Sequence, residues 1–359
     1  MVRVNLQLTD EIKKLGAFDL QACYSCGNCS AMCPLCEGDI SFPRKMIRYS
    51  LLGMESRILS SAEPWLCYYC GECSETCPRE ADPGALMMAL RRYTIRRYSL
   101  GRVADLFYSA FSSGVAWMAL SIIAVMLIVL FHDPGMNMAE TEWLSFMSLD
   151  HIHDAGLIVA GFVALMFLFN VAVMTRALKK NLPGERFGLR NLARNSFGAL
   201  RETLMQERFN TCVPNRKKRV AHMALYWGFM GMGLATVIVM GIDYSWWNVS
   251  RSVPFILGSG FGIITLLGTS YFIYLRASKK VESAKSSHIS DWIFLLLIAL
   301  TVLSGFVMVL FKYAGMPMAA YYAFAVHLVF VFDLLVSLPF TKFAHAVYRP
   351  IVLWLSGVK

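Results

Sequence analysis

Charged residues are scarce in this chain: 16% of its 359 residues are Asp, Glu, Lys or Arg, against 57% hydrophobic residues. A soluble globular domain carries roughly a quarter charged residues. The deficit is uneven, since residues 1–100 have a soluble composition and the remainder is dominated by long apolar runs. Alternating strand patterns are lacking, which argues against a β-barrel or sandwich. Residues 1–20 contain acids and lysines but no apolar h-region, so no cleavable signal peptide is expected. Cysteine is nearly absent beyond residue 77, where only Cys212 remains of the 10. Without a leader, an oxidised secreted framework is disfavoured, and crowded early cysteines point to metal ligation in a reducing compartment.

The net charge of +10 could suit nucleic acid, but its placement argues otherwise. Basic residues cluster between apolar runs, as in Arg91, Arg92, Arg96, Arg97 and Arg102, or Arg216, Lys217, Lys218 and Arg219. Membrane proteins mark cytoplasmic loops in this way, and no nucleic-acid partner is expected. A span needs roughly 20 apolar residues, and six stretches qualify: 107–131, 156–174, 220–241, 254–275, 292–311 and 318–340. The connection 131–156 lacks Lys and Arg, and the other two outer loops contain only Arg251 and Lys312. Both termini and the cysteine region are therefore expected on the cytoplasmic side of the inner membrane. Helices are expected over 42–60 and, basic and amphipathic, over 85–98. The basic stretch 189–209 can form an interfacial amphipathic helix; a solvated loop held near anionic lipid and a partner-docking surface are the two readings of its role.

Two cysteine runs share one spacing. Cys23, Cys26, Cys29 and Cys33 followed by Pro34 form C-x2-C-x2-C-x3-C-P, and Cys67, Cys70, Cys73 and Cys77 followed by Pro78 repeat it. In such pairs three thiolates of one run and the fourth of the other hold each [4Fe–4S] cubane. One cluster is thus expected on Cys23, Cys26, Cys29 and Cys77, and the other on Cys67, Cys70, Cys73 and Cys33. Zinc knuckles usually pair C-x2-C units a dozen or more residues apart, unlike these runs. Cys36 and Cys212 are surplus and read as free thiols.

Three histidines lie at membrane depths that suit haem. His222 follows the 216–219 basic cluster and His345 lies between Lys342 and Arg349, so both belong to the inner face. Counting from Lys342 at ~1.5 Å per residue puts His327 roughly 22 Å towards the outer leaflet, eighteen positions from His345 on what reads as one helix. Intramembrane ionisable groups mark functional sites by default, although a lone histidine can also serve a neighbouring helix as a hydrogen-bond partner. Asp333 on the sixth stretch would suit an ion or proton pathway, or a polar partner for a haem. The glycines of the third and fourth stretches suit a close helix neighbour as well as a planar group.

Around the cysteines, the C-Y-x-C-G-x-C opening, the Arg-Lys-x-Ile-Arg stretch at 44–48, Trp65-Leu66-Cys67 and Asp82-Pro83 resemble the HdrC iron–sulfur polypeptide of heterodisulfide reductase. The stretch from His327 through Pro339, Phe340 and His345 to Pro350, with 291–306, resembles the cytochrome b of heterodisulfide reductase and the gamma subunit of respiratory nitrate reductase. Their fusion resembles the membrane subunits of quinone-interacting membrane-bound oxidoreductase (Qmo) complexes. The resemblance implies an all-α fold, with a cytoplasmic two-cluster ferredoxin-like domain at 1–100 and a six-helix transmembrane cytochrome b-type bundle at 101–359. It implies haem b between His222 and His345 and a second haem on His327. The partner position of that second haem is Met232 here, leaving Met232, His153 or His151, or no distal haem; bis-histidine habit favours His153. It further implies menaquinone as substrate, flavin-containing cytoplasmic partner subunits and delivery of electrons towards adenylylsulfate reductase. Such a chain is one subunit within a quinone-linked oxidoreductase, incomplete as an enzyme alone. A heterodisulfide-reductase-like complex with another soluble acceptor is the nearest rival, and a transporter or redox sensor with an attached cluster domain is the rival from another class.

Overall fold

The structure, a computed structural model, describes residues 4–17, 20–36, 41–108, 111–130, 149–182, 184–212 and 216–357. Regular structure among the described residues is helical, with no strand among them. The N-terminal part comprises α1 (Leu8–Lys14), α2 (Asn28–Ala31), α3 (Arg44–Leu51), α4 (Glu55–Leu59), α5 (Glu63–Leu66), α6 (Glu72–Glu75) and α7 (Pro83–Tyr98). The expected 42–60 helix is two, because Gly53 turns the chain in the left-handed region (φ +65°) between α3 and α4. The short helix α8 (Asp105–Tyr108) leads to α9 (Phe111–Leu130) and α10 (Leu149–Leu178). Most of the expected 131–156 outer connection lies outside the described residues. There follow α11 (Leu189–Met205), α12 (Phe209–Cys212), α13 (Arg216–Asp243), α14 (Ser252–Ser278), α15 (Glu282–Lys285), α16 (Ile289–Tyr313), α17 (Pro317–Ser337) and α18 (His345–Ser356).

Five helices are long and apolar enough to cross a membrane, namely those at His151–Leu178, Lys217–Asp243, Ser252–Ser278, Ile289–Tyr313 and Pro317–Ser337. For the first expected span, the apolar run found among the described residues is the shorter Ala116–Leu127 within α9. Helices α13 and α14 pack along one another, as do α16 and α17, and α9 and α10 flank α17. Two glycines permit the first pairing. A Cβ on Gly228 would lie 2.3 Å from Thr265 Oγ1, and one on Gly268 would lie 2.7 Å from the Ala221 carbonyl. Their role is close helix contact. Large apolar side chains such as Leu157, Ile158, Leu168, Leu267 and Leu310 remain exposed, an outward face suited to hydrocarbon.

The last expected span is shorter than its apolar run. Pro339 lacks an N–H and its ring disfavours helix before it; α17 ends at Ser337, and a short 3-10 turn (Lys342–Ala344) leads into α18. His327 and His345 therefore sit on different helices, with His345 as the first residue of α18. Helix α7 also departs from expectation. Instead of presenting a basic face, it is buried nearly along its whole length, Arg91 and Arg92 included. One hydrophobic core joins the two parts, since Trp65, Leu86, Leu90 and Tyr98 share it with Met174, Leu178, Phe340, Tyr348 and Val352.

Candidate metal centres

The two cysteine runs fold alike. Ser25 and Tyr69 adopt positive φ (55° and 54°), as do Gly27 and Gly71 (91° and 98°), so each loop curls its backbone around the space its thiols face. Backbone amides point at the sulfurs, with Ser25 N 3.4 Å from Cys23 Sγ and Tyr69 N 3.3 Å from Cys67 Sγ. The runs interlock through Asn28, whose Nδ2 donates to the Thr76 carbonyl at 2.7 Å.

Two hollows result. One is lined by Cys23, Cys26, Cys29 and Cys77; the other is lined by Cys33, Cys67, Cys70 and Cys73. The fold thus places the fourth cysteine of each run beside the first three of the other. Among the described residues no three Cys, His, Asp or Glu side chains converge as a single metal ion would need. Burial, followed by repulsion from Cys23, Cys26 and Cys77, pushes the Cys29 thiol up to about 11, and burial pushes Cys33 up to about 12. Such thiols become thiolates when iron takes the place of the proton. Cys36 donates to the Phe42 carbonyl at 2.7 Å and lines neither hollow; the Cys212 side chain lies outside the described residues.

A larger cavity opens between this domain and the spans, and its lining includes Cys67, His222 and His345. The two imidazoles have ring centres 6.3 Å apart with planes at 63°. Imidazole–metal bonds are about 2 Å, so two rings meeting one metal atom head-on have centres about 6 Å apart. Each ring has its other nitrogen occupied. His222 Nδ1 donates to Gln206 Oε1 at 2.7 Å, and His345 Nδ1 to the Lys342 carbonyl at 2.5 Å. Both Nε2 atoms are then bare acceptors, the arrangement that orients ligating histidines. Burial, and then the charge of Arg91, hold His345 well below the usual imidazole range, so it is neutral. Arg91, Lys218, Arg276, Lys342 and Arg349 also line the cavity and suit an anionic ligand.

Residues 143–356, more than half of the chain, match the family described as citrate utilization protein B. The chain belongs to that family. Residues 19–81 match the 4Fe-4S dicluster domain, and the interlocked runs just described are that domain. A heterodisulfide reductase C-subunit-like protein of Archaeoglobus profundus is 36% identical over 99 residues, which cover 27% of this chain and 53% of the relative. The chain thus spans about half the length of that curated relative. No solved structure matches the chain significantly. Taken together, the chain combines a 4Fe-4S dicluster domain with helices long and apolar enough to cross a membrane.

Within this family member the remaining candidate histidines lie elsewhere. His327 is 2.9 Å from Ser304 Oγ through Nδ1, and a Cβ on Gly305 would approach its ring to 3.2 Å. His153, in the first turns of α10, bonds Asp243 Oδ2 at 3.1 Å, and its ring lies 5.1 Å from that of Tyr244, tilted by 38°. Asp243 also takes a 2.6 Å ion pair from Arg251. Asp333 is buried and faces Ser121 and Trp117 of α9.

Sequence reasoning missed the groups that join the cavity to the clusters. Arg91 donates to the Pro64 and Cys67 carbonyls at 2.8 and 2.6 Å. Arg349 of α18 lies 3.6 Å over the Tyr68 ring, whose hydroxyl donates to Glu202. Lys218 donates to the Tyr69 carbonyl at 2.9 Å. Beside them, buried Asp291 receives Arg92 at 2.6 Å, Lys342 at 2.8 Å and Arg276 at 3.3 Å. A carboxylate opening an apolar run was the available signal for Asp291; the others have no sequence signature.

Proposed function

We propose that this chain is the membrane electron-transfer subunit of a quinone-linked oxidoreductase, joining menaquinol to a cytoplasmic partner complex through haem b and two [4Fe–4S] clusters. The observation that carries the reading is the pair His222 and His345, each held through Nδ1 by an acceptor oxygen, which makes Nε2 the unprotonated nitrogen, in a cavity that reaches Cys67. Haem b and the clusters supply reversible one-electron chemistry when bound. The chain's own residues supply the rest. Gln206 and the Lys342 carbonyl orient the two imidazoles, and the five cations of the cavity match the charge of haem propionates. Arg91 and Arg349 hold the Cys67 carbonyl against the cavity, while Cys26 and Tyr24 of the other cysteine run are exposed, where a soluble partner can approach. The basic ends of the spans support a cytoplasmic position for the cluster domain.

The resemblances support flavin-containing partners and delivery towards adenylylsulfate reductase, with a heterodisulfide-reductase-like acceptor as the nearer rival. The family description names citrate utilization, and the same five cations would also attract a tricarboxylate. One experiment separates these readings. The purified chain should show a b-type haem spectrum, and His222→Ala and His345→Ala should each abolish the same haem signal with the clusters retained. Menaquinol should then no longer reduce the clusters, although dithionite still should. Absence of haem from the native protein, with citrate bound instead, would overturn the reading. His327→Ala should spare this haem.

A further inference from the structure

Helix α11 has two unlike faces. Asn195 and Leu192 meet α18, where Asn195 Nδ2 donates to the Trp354 carbonyl at 3.1 Å and Trp354 Nε1 donates to the Leu192 carbonyl at 2.8 Å. The other face carries Leu189 (86% exposed), Phe197 (76%) and Leu200 (58%). These fall within a fifth of a turn or so of one another at 3.6 residues per turn, and Arg190, Arg194 and Arg201 run beside them. All three arginines are exposed, and Arg201 pairs with Glu207 at 3.0 Å. An apolar stripe bordered by cations is the pattern of a helix lying in the membrane interface.

The position of α11 along the spans supports the same occupant. Its last turn is tied to α13, since Arg219 donates to the Met205 carbonyl at 2.7 Å and Trp227 Nε1 to the Leu204 carbonyl at 3.3 Å. Arg219 and Trp227 are separated by about 12 Å along the helix axis, the zone in which tryptophan and arginine mark the edge of the hydrocarbon. Exposed Lys179, Lys180 and Lys217 stand at the neighbouring ends of α10 and α13, so this end of the molecule presents cations to one membrane surface. The inner side of the α11 segment provides the carboxylate of Glu202 to Tyr68, and Gln206, just past its end, holds His222.

We propose that α11 is an interfacial anchor that lies in the headgroup layer and binds acidic phospholipids through Arg190 and Arg194, with Leu189, Phe197 and Leu200 in the acyl boundary. The anchor fixes the support of the His222 and Tyr68 side of the cavity relative to the bilayer. It does not depend on what fills the cavity.

The test uses the full chain. Benzoylphenylalanine in place of Phe197, irradiated in native membranes, should give a phospholipid adduct; an adduct with a second polypeptide would overturn the proposal in favour of a docked protein. In nanodiscs, α11 amides should exchange about tenfold more slowly when phosphatidylglycerol is included than in phosphatidylcholine alone. Arg190→Glu with Arg194→Glu should abolish that difference while cluster absorbance is unchanged. Equal exchange of the unaltered chain in both lipids would refute the anchor, whether or not the double variant folds.

Discussion

Replacing Asp291 with asparagine tests the joint between the cluster domain and the spans. Its carboxylate is 2% exposed and receives three cations, Arg92 at 2.6 Å from α7, Lys342 at 2.8 Å and Arg276 at 3.3 Å. An asparagine side chain is nearly the same size, so packing is conserved and charge is what changes. Breaking a buried ion pair by removing one partner costs about 3–5 kcal/mol, because the other charge stays buried without compensation. Three stranded cations would suggest more, but Lys342 can shed its proton: burial already brings its ammonium down to about 8, with Asp291 acting in the opposite direction. The expected loss for Asp291→Asn is therefore about 3–5 kcal/mol rather than a multiple of it. Denaturant titration of the detergent-solubilised protein, followed by cluster absorbance and by tryptophan fluorescence, measures it. The cluster signal should fall at lower denaturant than in the parent, because α7 leads directly from the second cysteine run. Asp291→Leu with Arg92→Met should recover part of the loss, since the pair is replaced by apolar side chains of similar bulk. A loss below about 1 kcal/mol for Asp291→Asn would refute the reasoning, since that is the worth of an exposed pair.

Cys33→Ser should impair the cluster whose other ligands are Cys67, Cys70 and Cys73; electron paramagnetic resonance of the reduced protein distinguishes the two centres, and damage confined to the Cys23 cluster would contradict the crossed hollows. Iron chelation after oxidation should lower the thermal stability of the N-terminal part, because raised thiols lose the metal that replaces their protons; calorimetry with and without reconstitution reads this, and an unchanged transition would count against it. His288 caps α16 by accepting from Ser290 N at 3.2 Å, and burial, then Arg92, bring it down to about 4. The fold favours its neutral form, so its contribution is full above the ordinary histidine value of 6.5 and is lost as pH falls from there to about 4. His288→Asn retains a cap without the titration, and its melting temperature should be less sensitive to pH over that window; identical slopes in both proteins would exclude the assignment.

The cysteine spacing alone was enough to read a domain for two cubanes and to expect the fourth cysteine of each run beside the other run, because short-range loop geometry dictates which thiols can share a face. Apolar run length likewise foretold five of the six expected long apolar helices, since a bilayer leaves backbone groups few alternatives to helix, while the 107–131 run gave a shorter apolar stretch among the described residues. Pro339 already held the information that α17 would stop, yet the 318–340 run was read through it, because hydropathy registers side chains and not the missing amide. The burial of Arg91 and Arg92 could not be read in α7: their basic pattern is that of a surface helix until the Cys67 carbonyl and Asp291, distant in sequence, arrive beside them. The approach of His222 to His345 was inferred from depth, but the acceptors that turn both Nδ1 atoms outward are Gln206, from a different segment, and the Lys342 carbonyl, exposed by the break before α18. Local chemistry determined which elements form and which thiols meet, while only tertiary packing decided which buried charges are paired and which imidazole nitrogens are left free, because those depend on groups that the chain brings together from far apart.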